Sequence, residues 1–141
     1  MIKVTCAIIF QKGKVLITQR GEHPHHAFQW EFPGGKVKPE ETEAQCLIRE
    51  IKEELELDVE IAEKMTAVDF DYGFKKIRLI PFLCYLKKGN IVLHEHVDFE
   101  WVGLIGLRDK NISGADKEVI ALPENQELLE EYSRKKVNDA G

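Results

Sequence analysis

The sequence is poor in cysteine, has no long apolar run and carries no excess of basic side chains, and each shortage excludes a class of protein. Its three cysteines, Cys6, Cys46 and Cys84, are odd in number and show no Cys-x-x-Cys spacing. That argues against a disulfide framework or a zinc site and favours reduced thiols in the cytoplasm. No apolar run approaches the roughly 18 residues of a membrane span, and Met1-Ile2-Lys3-Val4 does not resemble a signal peptide. The formal net charge of −5 argues against a broad surface for duplex nucleic acid.

The sequence does contain enough apolar material for one packed domain. With 141 residues and a hydrophobic content of 43%, the chain is long enough for one core and short for two. We therefore expect a single domain over residues 1–141. We place it in the cytoplasm as a monomer or homodimer, with no membrane partner and no stable nucleic-acid partner.

Periodicity and turn residues predict strands joined by hairpins, together with two helical regions. One helix ends at Leu55, and a second region runs from Ala115 to about Lys135 with a break at Pro123. Pro81 predicts a bulge or a locally unpaired edge within its strand, and residues 136–141 look frayed. The predicted strands cover residues 3–10, 15–20, 58–71 (as one strand or two), 78–86 and 100–102. This order favours an α/β fold with helices on both faces of a mixed sheet.

The helix that ends at Leu55 combines clustered acidic residues with an apolar stripe. Residues three and four apart differ by about 60° and 40° around a helix, so Glu50, Glu53 and Glu54 share one patch. Two such carboxylates about 6 Å apart repel by roughly 3 kcal/mol, and we expect Arg49 and Lys52 to point partly away. A hard divalent cation would relieve the repulsion, whereas a solvated acidic face is the alternative. The apolar stripe on the other side, typical of a core-facing helix, consists of Ala44, Leu47, Ile48, Ile51 and Leu55.

A glycine turn precedes this helix. The segment Trp30-Glu31-Phe32-Pro33-Gly34-Gly35-Lys36 runs from a strand-like stretch into a turn signal. Paired glycines let the backbone approach a ligand closely or expose a carbonyl to it. Thr42 is placed to cap the helix, and Glu41 lies beside it near the positive end of the helix dipole.

Together these residues form a pattern of fixed spacing that is similar to that of a known family. Gly35, Glu41 and the run Arg49-Glu50-Ile51-Lys52-Glu53-Glu54 resemble the signature of the Nudix hydrolases, and the whole chain looks most like the MutT-type members. The resemblance implies an α/β/α sandwich with a mixed β-sheet between helices. One position departs, because the family has glycine where this chain has Glu56. Either Glu56 adopts the left-handed conformation, at a cost on the order of 1–2 kcal/mol, or the helix continues.

The resemblance also implies a metal site and the residues that serve it. The Gly35 carbonyl and the carboxylates of Glu50, Glu53, Glu54 and Glu95 would bind Mg²⁺, with Mn²⁺ able to substitute. Glu50 or Glu53 would take a proton from the attacking water, and we favour Glu50. By carry-over from the motif, Arg49 would hold a carboxylate in place and Glu41 would order the loop before the helix.

Five further residues are expected to bind substrate. Arg20 would grip a phosphate, and Lys36 would reach the leaving pyrophosphate. Glu31 and Phe32 would line the nucleotide pocket by resemblance, although Phe32 could equally be a core residue. For Asp116 two roles stay open, reading the edge of the base or capping a helix.

The histidines give weaker indications of a functional role than these residues do. If the segment around Glu95 is a strand, His94 and His96 would face one way and Glu95 the other. A histidine pair can mark a transition-metal site, but no third ligand is visible in the sequence. We expect His23, His25 and His26 to be solvated in their loop.

The function implied by the resemblance is hydrolysis of a nucleoside triphosphate to the monophosphate and pyrophosphate. Oxidised purine nucleotides such as 8-oxo-dGTP are the leading substrates, in a role of nucleotide-pool sanitation. CTP or a modified dCTP is the alternative substrate. A non-catalytic nucleotide sensor is the alternative of another class.

Overall fold

The protein consists of one mixed β-sheet with helices on both faces, which confirms the expected fold class. The computed structural model describes residues 1–135, so the predicted frayed segment 136–141 lies outside the described residues. The strands are β1 (Ile2–Gln11), β2 (Lys14–Gln19), β3 (Trp30–Glu31), β4 (Gly34–Lys36), β5 (Asp58–Lys64), β6 (Val68–Asp71), β7 (Lys76–Lys88) and β8 (Asp98–Val102). The helices are α1 (Glu43–Leu55), α2 (Leu104–Leu107), α3 (Gly114–Ala121) and α4 (Pro123–Ser133).

Strands β1 and β2 form a hairpin whose two arms separate. They pair with each other only near the turn, at Phe10–Val15 and Gln11–Lys14. Farther from the turn, β1 pairs with β4 over Val4–Cys6, and β2 pairs with β3 and β8. Residues 30–36 therefore fill the space between the separated arms. The turn predicted at Pro33-Gly34-Gly35 is wrong, because Gly34–Lys36 forms β4 and pairs with β1.

The other half of the sheet is built on β7. This strand runs parallel to β1 from Ile77 to Tyr85 and antiparallel to β5 and β6. Pro81 faces the point where pairing with β5 has ended and pairing with β6 has not begun. The locally unpaired edge predicted at Pro81 is confirmed, because a residue without an N–H fits where no partner strand accepts one.

Helix α1 covers one face of the sheet and starts and ends as its sequence dictates. Thr42 and Gln45 form a capping box at its N-terminus, which satisfies two otherwise free N–H groups. At the other end Glu56 adopts the left-handed conformation, with φ 57° and ψ 34°, and its N–H donates to the Lys52 carbonyl at 3.0 Å. The first of the two alternatives for Glu56 is therefore confirmed.

The apolar stripe predicted on α1 is partly wrong. Ala44 is exposed and Ile48 is 39% exposed, whereas Cys46 is fully buried and Glu54 is only 6% exposed. The packed side of the helix is thus turned toward its carboxylates, because Glu54 lies near the middle of the buried arc. The acidic patch and the core-facing stripe are therefore not on opposite faces.

Helices α3 and α4 cover the second face. Alternate residues of β1 divide between the two layers, since successive side chains of a strand point to opposite faces. Ala7 and Ile9 pack with α1, whereas Ile8 and Phe10 pack with α3 and α4. The predicted break at Pro123 is confirmed, because Pro123 opens α4 directly after the end of α3. No helix of residues 1–135 is long and apolar enough to cross a membrane.

Asn125 joins this second layer to the sheet. Its side chain is fully buried, accepts from the Thr66 N–H at 3.0 Å, and donates at 3.0 Å to the carbonyls of Thr66 and Val119. Asn125→Ala removes three hydrogen bonds and leaves a cavity at a fully buried position, so we expect the free energy of unfolding to fall by roughly 2–4 kcal/mol. Urea unfolding measures the change. The exposed neighbour Gln126→Ala is the control, and equal stability of the two variants would contradict the assignment.

Candidate active site

A cleft of about 630 Å³ opens where the arms of β1 and β2 separate. Most of the residues that the sequence nominated line it, whereas Glu41, Arg49 and Glu53 do not. The nominated residues that the structure does bring together are Arg20, Glu31, Phe32, Gly35, Lys36, Glu50, Glu54, Glu95 and Asp116. The cleft has a carboxylate side formed by α1 and the loop before β8. Its lining also contains the cationic side chains Arg20, Lys36 and Lys75.

Gly35 lies against the Glu50 carboxylate of α1. A Cβ atom at this position would lie 2.3 Å from the carboxylate carbon of Glu50, so a larger residue would displace the end of that side chain. The Gly35 carbonyl accepts long hydrogen bonds from Thr5 Oγ1 at 3.3 Å and Cys46 Sγ at 3.5 Å. Strand β4 thus brings the backbone of Gly35 next to the Glu50 carboxylate.

Arg49 makes three ion pairs outside the cleft. Its guanidinium lies 2.6 Å from Glu41, 2.8 Å from Glu50 and 3.1 Å from Glu53. The expectation that Arg49 points partly away from the acidic patch is therefore wrong, because its long side chain folds back over the helix. Lys52 does point away, toward Asp58. Glu53 is half exposed and lies on the outer side of Arg49.

Glu41 links Arg49 to the loop before α1. Its second interaction is with the backbone, since Glu41 Oε1 accepts from the Lys38 N–H at 2.9 Å. The hydrogen bond from Arg49, followed by that from Lys38, lowers the pKa of Glu41 to about 2. The loop, Glu41 and Arg49 thus form one connected unit next to Gly35.

Glu54 is a buried carboxylate that lacks a hydrogen-bond partner for one of its oxygens. It is almost fully buried, and within residues 1–135 its Oε2 atom has no hydrogen-bond partner. Burial, and then the charges of Glu95 and Glu50, raise the pKa of Glu54 to about 9. A buried carboxylate with acidic neighbours and no partner is costly, and a cation in the cleft would remove that cost.

The oxygen atoms suit a hard divalent cation, but they are not yet arranged around one. In the described part of the chain, no three Asp, Glu, His or Cys side chains are already positioned to hold a metal ion. The ion pair with Arg49 holds the Glu50 carboxylate, and Glu53 is outside the cleft. The unpartnered Glu54 oxygen and the Gly35 carbonyl beside Glu50 nevertheless fit the oxygen ligands that Mg²⁺ takes.

Glu31 is the centre of a second charged group in the cleft. Its carboxylate accepts from Arg20 Nη1 at 3.2 Å and lies 3.0 Å from His96 Nε2. Burial opposes ionisation, but the hydrogen bonds from His96 and Arg20 keep the pKa of Glu31 below its ordinary value. Arg20 is thus already paired with Glu31 at the rim of the cleft.

The interpretation of His94 and His96 as a pair on one strand face is wrong. The segment lies in the loop before β8, so strand alternation does not apply to it. His94 Nε2 lies 2.6 Å from Glu56 Oε2, and His96 contacts Glu31 instead. No sequence signal indicated either partner, since both are more than 30 residues away along the chain.

Asp116 accepts a hydrogen bond from a backbone amide in the cleft wall. Ser113, not Asp116, occupies the N-cap of α3, so the capping role considered for Asp116 is wrong. Its Oδ2 atom accepts from the Phe32 N–H at 2.8 Å. Burial, and then the charge of Glu31, raise the pKa of Asp116 to about 8. The neutral acid can both donate and accept hydrogen bonds.

Sequence reasoning missed part of the cleft wall. Tyr72 and Lys75, from the β6–β7 hairpin, line the cleft, although no motif marks them. His26 was expected to be solvated but is buried. It packs edge-on against Tyr72 at a ring distance of 4.8 Å and bonds Gln29 at 3.1 Å. Only His23 and His25 are exposed as expected.

Comparison with known proteins places the chain among enzymes that act on nucleotides. The family model described as NUDIX domain matches residues 1–122. The CTP pyrophosphohydrolase of Escherichia coli (strain K12) is 36% identical over 101 residues, covering 72% of this chain and 75% of that protein. The 8-oxo-dGTP diphosphatase of Buchnera aphidicola subsp. Acyrthosiphon pisum (strain APS) is 36% identical over 122 residues, covering 86% of this chain and 96% of that protein.

A solved structure of a related protein has the same fold as this chain. The MutT protein of methicillin-resistant Staphylococcus aureus 252, described as a Nudix hydrolase, is 38% identical to this chain. The two superpose with a TM-score of 0.70, over 92% of this chain and 96% of that one.

The buried state of Asp116 makes stability depend on pH. In the folded protein the Asp116 carboxyl group has a pKa of about 8, whereas an aspartate in the unfolded chain has a pKa of about 3.9. The unfolded state therefore binds fewer protons, and the free energy of unfolding falls as pH rises through this interval. Asp116→Asn imitates the neutral acid, so we expect it to exceed the wild type in stability at pH 8 by at least about 1 kcal/mol.

Urea unfolding at pH values between 4 and 8 measures this effect, with the exposed Asp109→Asn as the control for loss of one carboxylate. The advantage of Asp116→Asn should shrink toward pH 4, where both states of the wild type are increasingly protonated at Asp116. An advantage that is independent of pH would contradict the raised pKa of Asp116. An equal advantage in Asp109→Asn would show a general effect of losing one carboxylate and would also contradict the assignment.

Proposed function

This chain belongs to the NUDIX domain family, and from that premise we propose that it is a magnesium-dependent nucleoside triphosphate pyrophosphohydrolase. Family membership makes it a hydrolase of phosphoric anhydrides in nucleotides, and Nudix hydrolases use divalent metal ions. The observation that carries the proposal is the unpartnered, buried Glu54 carboxylate beside Glu50 and Glu95 in a cleft. An ionised Glu54 needs a counter-charge in such a site. Without metal a proton meets that need, since the pKa of Glu54 is raised, and a divalent cation arriving with a polyphosphate would replace the proton.

We assign the metal to the Gly35 carbonyl and the carboxylates of Glu50, Glu54 and Glu95. Glu53 joins this set when its carboxylate leaves Arg49. When bound, the metal supplies neutralisation of the phosphoryl oxygens and a lower pKa for the attacking water.

The protein side chains supply the remaining roles. Glu50 takes the proton from the attacking water. Arg49, held by Glu41, positions the Glu50 carboxylate until a metal is bound. Arg20 and Lys36 hold phosphate oxygens, with Arg20 exchanging part of its contact with Glu31. Most of the rate enhancement then comes from charge stabilisation and from positioning of the reacting groups.

The leading substrates are oxidised purine triphosphates such as 8-oxo-dGTP. Asp116 lines the cleft and accepts from the Phe32 N–H, and its neutral carboxyl group can donate to, or accept from, a base edge. The similarity to proteins named 8-oxo-dGTP diphosphatase supports the purine. Glu31 and Phe32 complete the wall of the nucleotide pocket.

CTP or a modified dCTP is the second candidate substrate. One specific observation favours it, namely the 36% identity to the CTP pyrophosphohydrolase of Escherichia coli (strain K12). The amino group of cytosine is a donor that the Asp116 carbonyl oxygen could accept from. Both candidates use the same carboxylates and differ only in the base that Asp116 faces.

A pyrophosphate-release assay over a panel of normal and oxidised nucleoside triphosphates tests the proposal. With Mg²⁺ we expect one pyrophosphate for each monophosphate, with 8-oxo-dGTP giving the highest kcat/KM, and no release with a chelator. Glu50→Gln, Glu53→Gln and Glu54→Gln should each lower turnover by at least about 100-fold while the protein remains folded. The exposed Glu60→Gln is the matched control and should keep wild-type turnover.

Each other outcome of this assay has a defined meaning. Near-normal turnover in Glu50→Gln and Glu54→Gln would remove the metal assignment. Highest kcat/KM with CTP would select the second candidate substrate. Nucleotide binding without pyrophosphate release from any triphosphate would show a non-catalytic nucleotide sensor.

A further inference from the structure

We propose that Glu56 is a positioning residue that holds the loop carrying Glu95 against the end of α1. This inference rests on the proposed function, because it assigns Glu95 to the metal site. It concerns a residue at which the chain departs from the Nudix pattern, where glycine is expected.

Glu56 occupies a backbone conformation that a glutamate adopts only at a cost. Its φ of 57° lies in the left-handed region, which glycine enters freely and other residues do not. The side chain is not left in solvent, because Glu56 Oε2 lies 2.6 Å from His94 Nε2. An Nε2–H group donates this hydrogen bond whether the imidazole is neutral or cationic.

The loop before β8 also bonds the backbone of α1. The Val92 N–H donates to the Leu55 carbonyl at 3.0 Å, and the His94 N–H donates to the Glu54 carbonyl at 3.1 Å. Carbonyls at the end of a helix lack partners within the helix, and this loop supplies them. The side-chain bond from His94 to Glu56 therefore adds to two backbone bonds at the same place.

Glu95 is thus flanked by two anchored histidines. His94 is fixed to Glu56 at the end of α1, and His96 is fixed to Glu31 on β3 at 3.0 Å. Between them Glu95 lines the same cleft as Glu50 and Glu54. Three carboxylates near one another repel, and a loop without anchors would relieve this by moving Glu95 outward. The anchors oppose that movement and keep a ligand near the site.

A simple surface ion pair is the competing interpretation, since both side chains are half exposed. The two interpretations differ in the effect on divalent-cation affinity that they predict for Glu56→Gly. Replacing Glu56 by glycine removes the backbone strain and should stabilise the fold, whichever interpretation holds. Only a positioning role predicts that the stabilised protein binds a divalent cation less well.

The experiment measures Mn²⁺ affinity of the metal-free protein by calorimetry, together with the melting temperature. For Glu56→Gly we expect a melting temperature raised by about 3 °C and a Mn²⁺ dissociation constant raised about three- to fivefold. His94→Ala should weaken Mn²⁺ binding to the same extent, and the double variant no further. Glu56→Gln, which keeps an oxygen acceptor for His94, should restore most of the affinity.

Lys12→Gly is the matched control. Lys12 also has a positive φ, 52°, but it lies in the β1–β2 hairpin turn away from the cleft. The Lys12→Gly substitution should raise the melting temperature by a similar amount and leave the Mn²⁺ affinity unchanged.

Unchanged Mn²⁺ affinity in Glu56→Gly, or an equal loss in Lys12→Gly, would overturn the inference. Pyrophosphate release by the wild type is measured separately. If the wild type binds Mn²⁺ but hydrolyses no triphosphate, the proposed function fails and the ratio of dissociation constants still decides the role of Glu56. If the wild type binds no Mn²⁺, both are overturned.

Discussion

The repulsion among carboxylates in one cleft is the constraint on which the rest of the structure depends. Glu54 is buried near the middle of the packed side of α1, with the charges of Glu50 and Glu95 nearby. Arg49 pairs with Glu41, Glu50 and Glu53, but among the described residues no side chain satisfies the Glu54 Oε2 atom. A folded protein keeps such an arrangement at a cost to stability, and a bound cation offsets that cost.

The sheet is built to bring these groups together. Because β1 and β2 separate beyond their turn, residues 30–36 enter the sheet and end in β4 beside α1. Gly34 packs against the β1 backbone so closely that a Cβ would lie 2.0 Å from the Thr5 carbonyl oxygen. At Gly35 a Cβ would instead meet the end of the flexible Glu50 side chain. Packing against backbone thus explains Gly34, whereas Gly35 leaves room for the Glu50 carboxylate.

Features governed by local chemistry could be predicted from the sequence. The Thr42 cap, the break at Pro123 and the unpaired edge at Pro81 each follow from one residue type in one backbone setting. The spacing of the glutamates placed them on α1 for the same reason. The rotation of α1, which turns Glu54 inward and leaves Ile48 exposed, depends on how the helix packs on the sheet and could not be predicted from local spacing.

Hydrogen-bond partners that lie far apart in the sequence could not be predicted either. Asp116 and the Phe32 amide are 84 residues apart, and His96 and Glu31 are 65 apart, so only the folded sheet brings them together. The resemblance to a known family indicated which residues matter. It gave neither their partners nor the reach of Arg49 over the acidic patch.

The most direct test of the central claim is a crystal structure with Mn²⁺ and a non-hydrolysable nucleoside triphosphate, read by anomalous scattering. We expect Mn²⁺ peaks within coordination distance of the Glu54 carboxylate and the Gly35 carbonyl, with the Glu50 carboxylate turned from Arg49 toward the metal. Mn²⁺ found only on the outer side of α1, with Glu54 still unpartnered, would contradict it.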